Sequence, residues 1–231
     1  MLRAAVALSV LLFTIEAHAQ VSGTLALLSD YRFRGVSLSD GRPAAQLAVA
    51  LDRTDGWYTG ALVSSVRLEQ NARPGAQLLS YAGFARRFRS DLSWEVGAQY
   101  TRFTGHEHYA YPEIYLGLAS EHFNGRLYYA PDYFGSGSAV YAELNGARMQ
   151  SERVYLFGHL GMLRRNGHGT NYIESSPYRF DVRVGIGMTL RAGNVQLGWT
   201  TMHGGDLQAF GYPVGDRSTR NAWVISLSRL W

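Results

Sequence analysis

Hydrophobic and polar residues alternate with a period of two along most of this chain. In the clearest stretch, from Tyr178 to Leu190, every second residue is apolar, and Arg179, Asp181 and Arg183 fall on the opposite face. Such alternation predicts β-strands with one apolar and one polar face. Charged residues are costly in a soluble core, whereas lipid outside and water inside would suit both faces. The pattern therefore predicts an all-β protein, a closed antiparallel transmembrane β-barrel.

The last eleven residues form a strand of the same kind. Its apolar residues alternate with polar ones, and the final residue of the apolar series is an aromatic one. Bacterial outer-membrane barrels commonly use such a terminal aromatic residue as an assembly signal. We expect its closing partner to be a first strand from Val21 to Phe33. Arg229 shares the apolar parity, where its guanidinium would have to reach the membrane interface. The proposed assembly signal consists of Trp223, Ile225, Leu227 and Trp231.

Short turns and longer polar loops alternate along the chain. The short turns are predicted at 53–56, 89–91, 122–125, 150–153 and 191–194, and the long loops at 35–42, 67–76, 104–110, 134–137, 164–176 and 204–220. This alternation is typical of short periplasmic turns and longer extracellular loops. It predicts about twelve strands, within a range of ten to fourteen, and places both termini on the periplasmic side.

Aromatic residues near the predicted strand ends suggest two interface belts. One belt, next to the short turns, would contain Trp57, Trp94, Tyr155 and Trp231. The other, towards the long loops, would contain Tyr31, Phe33, Tyr100, Tyr111, Tyr133, Tyr178 and Trp223.

The N-terminus and the composition indicate export to the outer membrane of a Gram-negative bacterium. Residues 1–19 have one early positive charge, an apolar run and a small-residue cleavage pattern, as in a secretory signal peptide. The apolar run is too short for a membrane helix. Residues 20–231 would form a single barrel domain. Since the chain has no cysteine, no disulfide can stabilise it.

The polar residues that alternate with the apolar ones along each strand are predicted to line the lumen. About twelve strands would leave a narrow interior, which could be open to solutes or filled by ion pairs. The net charge of +4 favours a mild preference for small anionic or polar solutes, since guanidinium groups bind carboxylates and phosphates. The lumen-lining candidates are Asp30, Arg32, Arg34, Glu95, Gln99, Glu143, Asn145, His159, Arg179, Asp181 and Arg183.

Two segments carry a resemblance to a known family. The stretch S-D-Y-R-F-R-G-V-S-L-S-D-G-R-P-A-A-Q, residues 29–46, resembles the opening of the TorF-type proteobacterial porins. The following G-W-Y-T-G-A-L-V-S-S-V, residues 56–66, is similar to the next strand of that family. The resemblance covers the N-terminal third and implies an outer-membrane barrel with a porin role, which that family holds largely by its architecture.

The predicted function is a porin-like channel for passive diffusion of small hydrophilic solutes, without enzymatic activity. Two alternatives stay open: a lipid hydrolase with a Ser–His site at the rim, and a plugged structural or adhesive barrel. The hydrolase would use a loop histidine such as His106, His108, His168 or His203, but the chain has no G-x-S-x-G motif. His106 and His108 alone are a weak metal signal.

We expect no catalytic, metal or cofactor site. The expected partners are the lipid bilayer, the barrel-assembly machinery during biogenesis and small solutes. Nucleic-acid binding is not expected, because the arginines are dispersed and the chain is exported. We expect the barrel to be a monomer.

Overall fold

A computed structural model describes residues 19–68, 74–88, 91–166, 176–204 and 220–231. The predicted signal peptide lies almost wholly outside these residues. Within the described ranges, no helix is both long and apolar enough to cross a membrane. The strands, in chain order, are β1 (Ala19–Leu28), β2 (Arg32–Phe33), β3 (Val36–Ser37), β4 (Ala44–Arg53), β5 (Trp57–Val66), β6 (Gly75–Arg87), β7 (Ser93–Phe103), β8 (Tyr111–Ala119), β9 (Phe123–Ala130), β10 (Ser138–Met149), β11 (Val154–Asn166), β12 (Tyr178–Leu190), β13 (Gly193–His203) and β14 (Asn221–Leu230).

Twelve strands of the described residues close into one antiparallel barrel. Every barrel strand pairs with its neighbours in sequence, and β1 pairs with both β4 and β14. Strands β2 and β3 form a separate small hairpin inside the first long connection. Two short 3₁₀ helices, Glu107–Tyr109 and Tyr133–Gly135, lie in other long connections. The predicted fold class and the predicted number of strands are both confirmed.

The first strand is shorter than predicted. It ends at Leu28, and the following residues turn into the barrel instead of continuing along its wall. Tyr31 is consequently buried and hydrogen-bonds Gln77 inside the barrel, although its parity had placed it against lipid. The reason lies in the sequence from Ser29 to Asp40. Its polar side chains Asp30, Arg32, Ser37 and Ser39 hydrogen-bond to one another, and its apolar residues Val36 and Leu38 are buried.

The seam between β1 and β14 closes on the final residue. The Trp231 backbone N–H donates to the Gly23 carbonyl at 3.0 Å, and the Gly23 N–H donates back to Trp231 at 3.1 Å. The indole ring of Trp231 covers Gly23, where a side chain would collide with it. Arg229 is the penultimate residue of β14 and is exposed on the outer face opposite Leu25. A closed seam leaves no unpaired strand edge in lipid.

The outer surface carries large apolar side chains over its whole circumference, for example Leu25, Ile114, Leu160, Val184 and Ile225, each about half exposed. Such a surface is costly in water and suits lipid. Some of the aromatic residues predicted for the interface belts lie on this outer surface, and others point into the barrel. The outward ones are Trp57, Trp94, Tyr100, Tyr178, Trp223 and Trp231, whereas Tyr31, Phe33, Tyr111, Tyr133 and Tyr155 lie inside.

The inward rings lie flat on glycines of the neighbouring strand. Tyr115 is directly opposite Gly97, and a Cβ at Gly97 would collide with the tyrosine hydroxyl. The same arrangement covers glycines on the outer face, as at Trp231. Glycine has no side chain to pack on the sheet, and the neighbouring ring fills the space that this leaves. The other inward pairs are Tyr58 with Gly83, Tyr81 with Gly60, Tyr155 with Gly187 and Phe157 with Gly185.

Deletion of Trp231 should reduce the yield of folded barrel. The deletion removes two closing backbone hydrogen bonds, a loss of about 1–3 kcal/mol at roughly 0.5–1.5 kcal/mol each. Refolding into detergent, followed by gel mobility with and without heating, measures the folded fraction. Trp57→Ala is the matched control, since it removes an exposed outer indole on β5, outside both the seam and the proposed assembly signal. Equal yields for the deletion and the wild-type chain would contradict this role.

Gly97→Ala should destabilise the barrel by about 1–3 kcal/mol, because the new methyl group overpacks the site of Tyr115. Gly158→Ala is the control: its Cβ would meet no atom within 4 Å, so we expect a change below about 0.5 kcal/mol. Urea midpoints of the refolded barrels compare the two. Equal destabilisation by both substitutions would show that the ring contact is not the cause.

Candidate functional site in the barrel lumen

The barrel encloses a cavity of about 1050 Å³. It reaches from the short-turn end, at Glu121 and His122, to the β2–β3 hairpin, whose residues Arg32 to Gly35 form its roof. Acidic, basic and aromatic side chains of most barrel strands form its wall. A polar cavity of this size can hold water and small solutes.

The hairpin crosses the lumen and contacts the opposite wall. Its two turn residues, Arg34 and Gly35, have φ values of 50° and 80°, as a type I′ turn requires. Gly35 packs against Asp181 and Met202, so closely that a Cβ would collide with Asp181. Glycine is therefore needed at this position for its backbone conformation and for the close approach.

Asp30 holds the base of the hairpin together. Its carboxylate accepts hydrogen bonds from the Ser37 and Ser39 hydroxyls and from Arg32 Nε, the last at 2.7 Å. The Ser39 hydroxyl also accepts the backbone N–H of Tyr31 at 2.8 Å. These contacts satisfy a buried carboxylate with short-range donors, so the loop folds on itself inside the barrel.

Arg34 fastens the tip of the hairpin to the wall. Its guanidinium donates two hydrogen bonds to Glu113 on β8, at 2.9 and 3.0 Å, and both side chains are almost fully buried. Gln99 donates to the same carboxylate at 2.6 Å. A bidentate pair with a further donor is the geometry that makes a buried ion pair tolerable. Rings of Phe33, Tyr128, Tyr133 and Tyr141 lie 4.3–5.4 Å from the guanidinium carbon.

An apolar cluster fills the lumen on the long-loop side of the hairpin. Val36 and Leu38 of the first connection are fully buried there, and Phe103 stacks on Phe134 with ring centroids 5.7 Å apart. Tyr111 is also fully buried and lies 4.8 Å from the Phe134 ring. The hairpin and this cluster therefore close the cavity towards the long loops.

The wall of the cavity contains a third ion pair, between Glu95 and Arg126. Glu95 on β7 accepts hydrogen bonds from Arg126 on β9 and from the Tyr58 hydroxyl, the latter at 2.6 Å. The Tyr58 and Tyr115 hydroxyls are 2.8 Å apart. The pair bridges strands across the wall and is only partly buried, with about 40 % of the Arg126 side chain exposed.

A hydrogen-bonded group centred on His159 lies on the part of the wall formed by β10, β11 and β12. His159 Nε2 is 2.8 Å from an Asp181 carboxylate oxygen, and His159 Nδ1 is 2.6 Å from the side-chain oxygen of Asn145. The Tyr141 hydroxyl lies between His159 and Asp181, at 3.1 Å from the ring nitrogen. Arg183 is directly opposite His159 on β12.

The predicted lumen residues nearly all face this cavity. Ten of the eleven line it, and the exception, Arg179, is fully buried beside the hairpin and donates to the Arg34 carbonyl. Asp30, Arg32 and Arg34 reach it from the hairpin, not from the wall of the first strand as predicted. Whether these residues contact a solute stays a prediction.

Several important interior residues were not predicted, although the alternation contains them. On β8, the even-numbered residues Ile114, Leu116 and Leu118 face lipid. Alternation along the strand therefore places Glu113 and Tyr115 inside the barrel. The glycine and the aromatic residues that interrupt this stretch weaken the signal. The other missed interior residues are Tyr58, Gln77, Arg126, Tyr155 and Gln196.

The charges of the cavity differ from those of the whole chain. Its lining contains two more carboxylates than guanidinium groups, whereas the chain as a whole has a net charge of +4. The excess of arginine thus lies elsewhere. The net charge of the chain is therefore no argument for an anion preference in the cavity.

The residues of the hydrolase alternative are only partly described. In the third long connection, the His106 ring stacks on Tyr109 and the His108 ring lies tilted against it, with centroids 3.8 Å apart. His168 lies outside the described residues. Among the described residues, no histidine donates to or accepts from a serine, and no group of three or more His, Asp or Glu could hold a metal.

The barrel is similar to solved structures of two porins and of an enzyme. The NanC porin matches with 8% identity over 91% of this chain and 98% of that one, at a TM-score of 0.57. The KdgM porin, in complex with disordered oligogalacturonate, matches with 9% identity over 92% and 98%, at 0.52. LpxR from Salmonella typhimurium, an enzyme, matches with 9% identity over 91% and 99%, at 0.50. At these identities the likeness shows the fold alone.

Sequence comparison gives the family. No curated protein matches the chain in sequence. The family model that matches is described as a bacterial protein of unknown function, a description without the TorF name, so that resemblance stays a prediction. Because this model matches residues 14–230, the chain belongs to the Gcw_chp family of bacterial proteins of unknown function.

Proposed function

We propose that this protein is an outer-membrane channel for small hydrophilic solutes, and that the β2–β3 hairpin is its gate. The observation that carries the proposal is the polar cavity of about 1050 Å³ inside a closed barrel with a lipid-facing surface. A barrel with a purely structural role could fill this space with apolar side chains. Here charged and hydroxyl groups face the cavity instead.

The hairpin is suited to a gate because polar, non-covalent contacts fasten its tip to the wall. Arg34 holds its tip through Glu113, and Arg179 donates to the carbonyl of Arg34 at 3.3 Å. Water can replace such hydrogen bonds when the hairpin moves away. The apolar cluster above the hairpin favours the closed state, so we expect the channel to be closed for most of the time.

The lining also indicates the class of solute. Twelve strands give a lumen between those of eight-stranded barrels, which side chains nearly fill, and those of wide porins. Carboxylates, guanidinium groups and tyrosine hydroxyls all line the cavity. Small polar or charged solutes could exchange hydrogen bonds with these groups, whereas apolar solutes would have to desolvate them.

The double variant Arg34→Gln/Glu113→Gln should raise the open probability of single channels at least several-fold. It removes the ion pair between hairpin and wall without leaving one buried charge unpaired, a state that would cost roughly 3–5 kcal/mol. Single-channel recording of refolded protein in planar bilayers measures the effect.

Glu121→Gln is the matched control, since this side chain is exposed at the short-turn end of the same cavity. Its open probability should equal that of the wild-type chain. Absence of conductance in every folded variant would refute the channel and favour a permanently plugged barrel.

A further inference from the structure

We propose that Arg183 is the recognition residue of a solute-binding site in the cavity wall, and that its ligand is a small monocarboxylate. This inference deepens the proposed channel function by naming a solute class. It rests on the contrast between Arg183 and the other arginines that line the cavity. Among the described residues, those arginines each contact a carboxylate: Arg32 with Asp30, Arg34 with Glu113 and Arg126 with Glu95.

Arg183 has no carboxylate within 4 Å among the described residues. Its side chain is half-buried, and its Nε is buried over Gly198 with no hydrogen-bond partner in the described part of the chain. A cation in a partly dehydrated wall is unfavourable unless an anion pairs with it. Since the described residues do not supply that anion, we take the solute as its source.

The guanidinium is also held in a fixed position. Its Nη2 donates to the Gln196 side-chain oxygen at 3.2 Å, and its plane lies over the Phe157 ring, 5.0 Å from the centroid. Gln196 in turn donates to the Tyr155 hydroxyl at 2.9 Å, and that hydroxyl donates to Asn194 at 2.8 Å. This chain of neutral hydrogen bonds orients Arg183 without neutralising its charge.

One part of the guanidinium stays available to a ligand. Nη1 is not buried and donates to no described residue, while the side chain lines the cavity. A free Nη1 donor on a fixed guanidinium can form a charge-assisted hydrogen bond with a carboxylate. Preorganised donors of this kind reduce the entropy that a ligand must lose on binding.

The surrounding charges favour a single negative charge on the ligand. Asp181 lies two residues from Arg183 on the same face of β12, and the cavity lining as a whole has more carboxylates than guanidinium groups. These carboxylates repel a dianion more strongly than a monoanion. A monocarboxylate can pair with Arg183 at a lower electrostatic cost.

Acetate is a suitable probe, with acetamide as the neutral molecule of the same shape. Binding to refolded protein in detergent is measured by saturation-transfer difference NMR on the methyl group at constant ionic strength. We expect saturable acetate binding in the millimolar range and no saturable acetamide binding. In Arg183→Gln the acetate dissociation constant should rise about tenfold or more, as expected for the loss of a charge-assisted hydrogen bond. Arg183→Lys should bind acetate with intermediate affinity.

Arg148→Gln is the control, because it removes the same charge from an exposed residue on the outer face. Circular dichroism checks that each variant is folded. Acetate binding that is equal in Arg183→Gln and the wild-type chain, or acetamide binding as strong as that of acetate, would overturn the site. Phosphate binding more tightly than acetate would overturn the assignment to a monocarboxylate.

The binding measurement does not depend on conductance. A chain that binds acetate through Arg183 but conducts no current would refute the channel and support the site. A chain that conducts but binds acetate without any dependence on Arg183 would support the channel and overturn the site.

Discussion

Closure of the hydrogen-bonded ladder is the constraint on which the rest of this structure depends. In lipid, every backbone N–H and C=O of a spanning strand must have a protein partner. The chain meets this requirement by pairing β14 with β1, and the last residue completes the seam through Gly23. Once the barrel is closed, each strand has one lipid face and one interior face. The position of every other side chain follows from that division.

The interior of a twelve-stranded barrel is too wide for its own wall side chains to fill completely. This chain fills it in two ways. Flat rings over glycines thicken the wall, and the β2–β3 hairpin with its apolar neighbours occupies the long-loop half. The other half remains a polar cavity in which most charges are paired. Against this background, Arg183, which has no carboxylate partner among the described residues, is the feature that points to a ligand.

The fold class also explains why likeness to solved structures cannot decide the chemistry. Porins and an enzyme share this barrel architecture at similar levels of structural similarity. Function depends on the few side chains that the barrel directs inward. In this chain they are ion pairs, tyrosine hydroxyls and a hairpin held by Arg34, an arrangement suited to the passage and retention of small polar solutes.

The sequence by itself determined the barrel, its strand count and the inward direction of residues such as Glu95, Asp181 and Arg183. These features depend on local alternation and turns, which a single strand or hairpin expresses without reference to distant parts of the chain. Only the tertiary structure decided that residues 29–40 fold into the lumen, because that choice depends on partners far away in sequence. Arg34 finds Glu113 seventy-nine residues later, and Tyr155 turns inward to lie on Gly187 of the next strand. Alternation shows which face a residue occupies, whereas the closed barrel decides which residues meet.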